Sequence, residues 1–92
     1  MKVHGPYGLA GTKGTTYHVT VSGRDIESFR TSWPASGLGR LKRATFTFDI
    51  RNGDLVDASC NSGSCEKFDG EALKELSERA RKYALRELAD IL

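Results

Sequence analysis

The chain has 92 residues, of which 38% are apolar and 28% charged, a length and composition typical of one globular domain. The apolar fraction is too high for an intrinsically disordered chain, and no apolar run approaches the roughly 18 residues of a membrane-spanning helix. The net charge of +2 indicates no particular partner by itself, although residues 24–43 hold five bases against two acids.

Residues 1–14 are rich in glycine and show no hydrophobic periodicity. Glycine recurs there at every third position from Gly5 to Gly14, which is far too short a repeat for a collagen triple helix. We therefore expect a glycine-rich N-terminal arm, either mobile or forming an irregular edge segment, followed by a single domain over residues 15–92. Because the segment lacks the apolar centre of a secretory signal, the expected location is the cytoplasm.

Residues 15–22 (TTYHVTVS) alternate between apolar and polar side chains, which predicts a strand. Residues 25–33 are ambiguous, because Phe29 and Trp33 fit alternate positions of a strand and also fit a helix with Asp25 as its N-cap. We favour a second strand, since the short turn at residues 23–24 would close a hairpin. Pro34 ends the element in either case.

Residues 43–60 contain the clearest β-hairpin signal, with Asn52-Gly53 between two alternating segments. A two-residue loop would place Asp57 opposite Phe48, so that a charge meets the apolar face. A three-residue loop, Arg51-Asn52-Gly53, would instead pair apolar residues along the whole ladder, and we predict this register. Its predicted pairs are Phe48 with Val56, Phe46 with Ala58 and Ala44 with Cys60.

Residues 69–92 predict an amphipathic helix. Asp69 suits the N-cap, and Phe68 can pack against Leu73 across the first turn. The expected apolar stripe consists of Leu73, Leu76, Ala80, Ala84, Leu88 and Ile91, widened by Tyr83 and Leu92. The fold class is therefore α+β: an antiparallel meander of three or four strands with one C-terminal amphipathic helix packed on one face. On the opposite face Thr45, Thr47 and Asp49 predict a solvated surface, with Leu55 as an exception.

The two cysteines, Cys60 and Cys65, are separated by four residues. This spacing is unusual for a zinc ribbon, and a tetrahedral site would need two further ligands, so no metal site is predicted. A disulfide closing the short loop is geometrically feasible, whereas the expected cytoplasmic location favours two free thiols.

The loop that follows Trp33 holds the candidate binding residues. Tryptophan and arginine are typical anchors of protein interfaces, which makes Trp33, Leu38, Arg40, Lys42 and Arg43 candidates for binding a protein partner. The alternative is that Trp33 closes one end of the core. A weak, salt-sensitive nucleic-acid site is the second hypothesis. It would use Arg24, Arg30, Arg40, Lys42 and Arg43.

No arrangement of nucleophile, base and orienting acid is recognisable, and the glycine segments lack the order of a phosphate-binding loop. The sequence therefore predicts a non-catalytic binding module without a cofactor. It leaves open whether the protein is a monomer or a homodimer.

The segment Ser28–Ala44 (SFRTSWPASGLGRLKRA) resembles a stretch of one small family of type I-F anti-CRISPR proteins. The likeness is carried by Pro34, the run Ser36-Gly37-Leu38-Gly39-Arg40, the branched apolar Leu41 and Ala44, and it covers under a fifth of the chain. In that family the segment opens a helix, whereas Ala44–Ile50 here predicts a strand. The resemblance implies a stoichiometric inhibitor, encoded by a phage or another mobile element, that binds a protein complex.

Overall fold

The computed structural model describes residues 1–8, 14–33, 43–60 and 70–90. Within these ranges the chain forms four strands and two helices, and the predicted α+β class is confirmed. The elements in chain order are β1 (Lys2–Tyr7), β2 (Thr16–Ser22), α1 (Arg24–Ser32), β3 (Arg43–Arg51), β4 (Asp54–Cys60) and α2 (Gly70–Glu87).

The sheet has the order β1-β2-β3-β4, and every neighbouring pair is antiparallel. The central pair is regular, from Thr16 opposite Asp49 to Ser22 opposite Arg43. Both outer strands are irregular, with a register shift between His4 and Tyr7 in β1 and another opposite Thr47–Asp49 in β4. Bulges of this kind are one way in which sheets discourage further strands from adding to their edges.

The predicted strand at residues 25–33 is wrong, because α1 occupies this segment. Ile26 and Phe29 are spaced to fall on one side of a helix, and both are buried against the sheet with 1% exposure. Gly23, with a φ of 57°, turns the chain out of β2. Two acids in the first turn suit the helix dipole. Phe29 and Trp33 alone could not distinguish the two periodicities, whereas Ile26 favours the helix.

The predicted three-residue hairpin loop is also wrong. Arg51 pairs directly with Asp54, and the positive φ angles of Asn52 (54°) and Gly53 (75°) are those of a two-residue type I′ turn, whose twist matches that of the strands. Asp57 has a φ of 55° and lies in a bulge, so that Asp57 and Ala58 together face the single residue Phe48. The bulge resolves the clash that argued against the short loop.

The new register exchanges the two sides of β4 between the turn and the bulge, whereas Cys60, beyond the bulge, stays on the apolar side of the sheet as predicted. Leu55 pairs with Ile50 and is buried at 1% exposure, whereas Val56 pairs with Asp49 on the other side and is half-buried. Phe46 pairs with Cys60, so the three predicted pairs do not form. A shift of one residue moves every side chain of a strand to the opposite face. Leu55, the predicted exception on the solvated face, is therefore a core residue.

Part of the expected N-terminal arm forms the edge strand β1. Its middle is shaped by Gly5, whose φ of 141° is open to glycine and strained for other residues. A Cβ at this position would lie 2.8 Å from the ring of Tyr17. The strand therefore crosses Tyr17 closely only because position 5 has no side chain. Residues 9–13 of the expected arm lie outside the described residues.

Both helices pack on the same face of the sheet and complete one hydrophobic core. The stripe predicted for α2 is confirmed at Leu76, Ala80, Ala84 and Leu88, with Leu73 and Tyr83 partly buried beside them. Ala72 is also fully buried. The predicted cap and staple at Asp69 and Phe68 lie outside the described residues, as do Ile91 and Leu92. No helix in the described part of the chain is long and apolar enough to cross a membrane.

Candidate binding surface

The open face is our name for the side of the sheet turned away from α1 and α2. Strand alternation places its residues there, because their neighbours in sequence point into the core. Half of them are half-buried and the other half are exposed, in contrast to the nearly complete burial of the apolar side chains on the other side. The open face consists of Lys2, His4, Tyr7, Thr16, His18, Thr20, Ser22, Arg43, Thr45, Thr47, Asp49, Arg51, Val56 and Ser59.

An aromatic cluster lies at the β1–β2 end of the open face. The rings of Tyr7 and His18 are in contact, with centroids 4.7 Å apart and planes tilted by 40°. His4 lies directly opposite His18 across the two strands. Tyr7 is 47% exposed and is the large hydrophobic residue that the described structure leaves exposed. This cluster therefore offers an accessible aromatic surface of the kind found at interface anchors.

The remainder of the open face is polar and carries charges of both signs. The Thr16 hydroxyl donates a hydrogen bond of 3.0 Å to Oδ1 of Asp49. At the β3–β4 end, Arg51 Nη2 lies 3.0 Å from Oδ2 of Asp57, and both side chains are more than half exposed. Among the described residues of the open face, the charged side chains are three bases, Lys2, Arg43 and Arg51, and one acid, Asp49.

Trp33 lies at the end of α1 and packs on the core. Its ring is stacked on that of Phe29, with centroids 6.0 Å apart and planes 16° apart, and it is half-buried. The Arg79 guanidinium also lies over the Phe29 ring, 5.2 Å from its centroid. This is the arrangement expected if Trp33 closes one end of the core. Leu38, Arg40 and Lys42, its predicted companions in binding, lie outside the described residues.

Three of the five bases predicted for nucleic-acid binding can be placed. Arg43 is the first residue of β3 and lies opposite Ser22. Arg24 follows Ser22 by two residues, so the exposed bases Arg24 and Arg43 lie at the same end of the sheet. Arg30 lies six residues after Arg24 in α1, which turns it about 120° away around the helix axis. Arg24 and Arg43 therefore lie at one end of the sheet, whereas Arg30 lies on a different side of α1 from Arg24.

The expectation of two free thiols is wrong for Cys60, which is disulfide-bonded. The chain has one other cysteine, Cys65, which lies outside the described residues. Cys60 is the last residue of β4 and is half-buried beside the core. A cavity of about 320 Å³ lies next to it, lined by Phe46, Leu73, Lys74 and Ser77 among others. Cys60 and Gly70 also line this cavity.

Sequence reasoning did not predict that His4, Tyr7 and His18 lie close together. The alternation Lys2-Val3-His4 could have suggested a short strand, but the glycines that follow obscured it. Pairing Val3 with Val19 is what brings the two histidines together. Among the described residues, no group of three or more His, Cys, Asp and Glu side chains is arranged to hold a metal ion.

Comparison with known proteins identifies no relative. No family model, curated protein or solved structure matches the chain.

Proposed function

We propose that this protein is a small non-catalytic module that binds another protein through the open face. The observation that carries the proposal is the exposed Tyr7 ring beside His18, on a sheet face to which neither described helix is packed. A tyrosine supplies a large, rigid contact area together with a polar tip, and tyrosines are enriched among the residues that dominate binding energy.

The edges of the sheet are less suited to binding than its face. β1 contains Pro6, which has no N–H to donate, and the charged Lys2. β4 carries the bulge at Asp57. Both features hinder the addition of a further strand. A partner that docks on side chains of the face is therefore favoured over one that extends the sheet.

Inhibition of a bacterial defence complex is a narrower form of this proposal. It rests on the resemblance of Ser28–Ala44 to type I-F anti-CRISPR proteins, and most of that segment lies outside the described residues. Cytoplasmic localisation is part of the same proposal. The disulfide at Cys60 counts against it, because structural disulfides are typical of oxidising compartments.

A capture experiment from bacterial lysate tests the proposal. We expect the wild-type protein to retain a partner after nuclease treatment, Tyr7→Ala to lose it, and Arg86→Ala, an exposed change on α2, to retain it. Circular dichroism checks that the two variants are equally folded. Retention by Tyr7→Ala with loss in Trp33→Phe would move the binding surface to the end of α1 and contradict the assignment to the open face.

The second candidate function is weak binding of nucleic acid. It is favoured by the proximity of Arg24 and Arg43 at one end of the sheet. Fluorescence anisotropy with a single-stranded oligonucleotide would then show affinity that falls steeply as salt is raised, since each phosphate contact contributes a slope of about −0.7 in log K against log salt. Equal affinity for Arg24→Gln/Arg43→Gln and wild type would exclude these residues.

A further inference from the structure

We propose that His4 and His18 together form a binding site for one late first-row transition-metal ion, of the class of Zn²⁺, Ni²⁺ and Cu²⁺. Neutral imidazole is a favoured ligand of these ions. The two residues are direct partners across the β1–β2 pair and both lie on the open face. The inference does not depend on the protein-binding proposal.

The spacing of the two strands suits a chelate. Side chains directly opposite each other in an antiparallel pair have Cβ atoms about 4.5–5.5 Å apart. Each zinc–nitrogen bond is about 2.0–2.1 Å long. Two imidazoles that lean towards each other from these positions can therefore reach one ion without a change in the backbone.

The ring of Tyr7 restrains one of the two ligands. Tyr7 is on the same strand as His4, and its ring touches that of His18. Within the described residues, neither imidazole takes part in a hydrogen bond or an ion pair. The contact with Tyr7 limits the freedom of the His18 ring, which reduces the ordering that metal binding requires.

Two protein ligands leave the remaining coordination positions to water or to a donor from elsewhere. Lys2 lies two residues from His4 on the same face, and its positive charge opposes the binding of a cation. The site is therefore an open one of moderate affinity, unlike a closed structural zinc site with four protein ligands.

Titration of the wild-type protein with ZnCl₂, followed by NMR of the histidine ring signals, tests the proposal. The chain contains only two histidines, so every ring signal is assignable with one variant. We expect both signals to change together and to saturate at one Zn²⁺ per chain. Two separate transitions, or a change confined to one ring, would overturn the chelate.

Variants that keep only one histidine provide a second test of the zinc site. Because the second ligand binds intramolecularly, His4→Gln and His18→Gln should each weaken Zn²⁺ binding by about tenfold or more, while Glu71→Gln on α2 leaves it unchanged. Independent sites would behave differently: each variant would keep one ion at the original affinity. The wild-type titration decides the question even if His18→Gln proves unstable.

Discussion

The two faces of the sheet are built from the same strands but differ in what holds their residues in place. On the covered face Val19, Phe46 and Phe48 are at most 1% exposed and contact side chains of the helices. On the open face Thr20, Thr45 and their neighbours are half-exposed and polar. The covered face is fixed by removal of apolar surface from water. We therefore expect substitutions on the open face to lower stability less than substitutions on the covered face.

The largest expected difference between the faces is seen by truncating one residue on each. Phe48→Ala should lower the free energy of unfolding by about 3–5 kcal/mol, because it leaves a cavity in the core. Thr20→Ala on the open face should change it by no more than about 0.5 kcal/mol. Urea denaturation measures both values. Similar losses for the two variants would mean that the open face is covered in solution.

A second pair of variants tests the same comparison at the start of β4. There Leu55 and Val56 lie on the faces opposite to those predicted from the sequence. Leu55→Ala should cost about 2–4 kcal/mol, since Leu55 is buried at 1% exposure. Val56→Ala should cost about 1 kcal/mol or less, because Val56 lies on the open face. The reverse order would restore the three-residue loop and place Val56 in the core.

Much of the fold follows from periodicity in the sequence. β2 and β3 are predicted close to their observed bounds, and α2 is predicted close to its observed start, because long alternating or helical patterns determine both the element and its buried side. The predicted end of α2 at residue 92 is wrong, since the helix ends at Glu87. The pattern fails where it is short. In residues 25–33 the two aromatic residues fit both the strand period and the helix period. The helix is favoured because it buries Ile26 and Phe29 together against the sheet. Local propensity cannot supply that contact.

The register of β4 shows a different limit. Pairing apolar with apolar residues was a sound rule for a regular ladder, but a bulge at Asp57 allows the tighter turn at Asn52-Gly53 and still buries Leu55. A bulge shifts the strand register by one residue. It leaves no clear signal in the sequence, because an aspartate can adopt a positive φ with only a moderate energetic penalty.

The candidate site was harder to predict than the fold. The sequence pointed to Trp33 and the bases that follow, whereas the structure packs Trp33 on Phe29 and brings Tyr7, His4 and His18 together from two segments. Such a cluster depends on strand pairing across the glycine-rich region, and the glycines made that region look unstructured. The predicted roles of Leu38, Arg40 and Lys42 stay predictions.

The next prediction concerns the disulfide of Cys60, the last residue of the edge strand β4. A bond between Cys60 and Cys65 closes a short loop, and its reduction should lower the free energy of unfolding by about 2 kcal/mol. Urea denaturation with and without a reductant measures the change, with the Cys60→Ser/Cys65→Ser variant as a control that should not respond to reductant. Peptide mapping without reduction identifies the partner. A disulfide-linked dimer on a non-reducing gel would contradict pairing within the chain.

The smallest expected effect concerns the polar link between α2 and the β3–β4 hairpin. The Arg81 guanidinium donates to the Leu55 carbonyl at 3.0 Å, to Asp54 at 2.7 Å and to Glu78 at 3.0 Å. Arg81→Ala should cost about 1–2 kcal/mol, because these charge-assisted bonds are lost while both acids stay about half exposed to water.

Arg86→Gln is the matched control for Arg81. Arg86 is exposed on the same helix, and its replacement should change the free energy of unfolding by no more than about 0.5 kcal/mol. Arg81→Lys should recover only part of the loss, because an ammonium group cannot reproduce the planar fork that reaches three acceptors. Full recovery by lysine would mean that charge, rather than the geometry of the guanidinium, joins the helix to the turn that sets the register of β4.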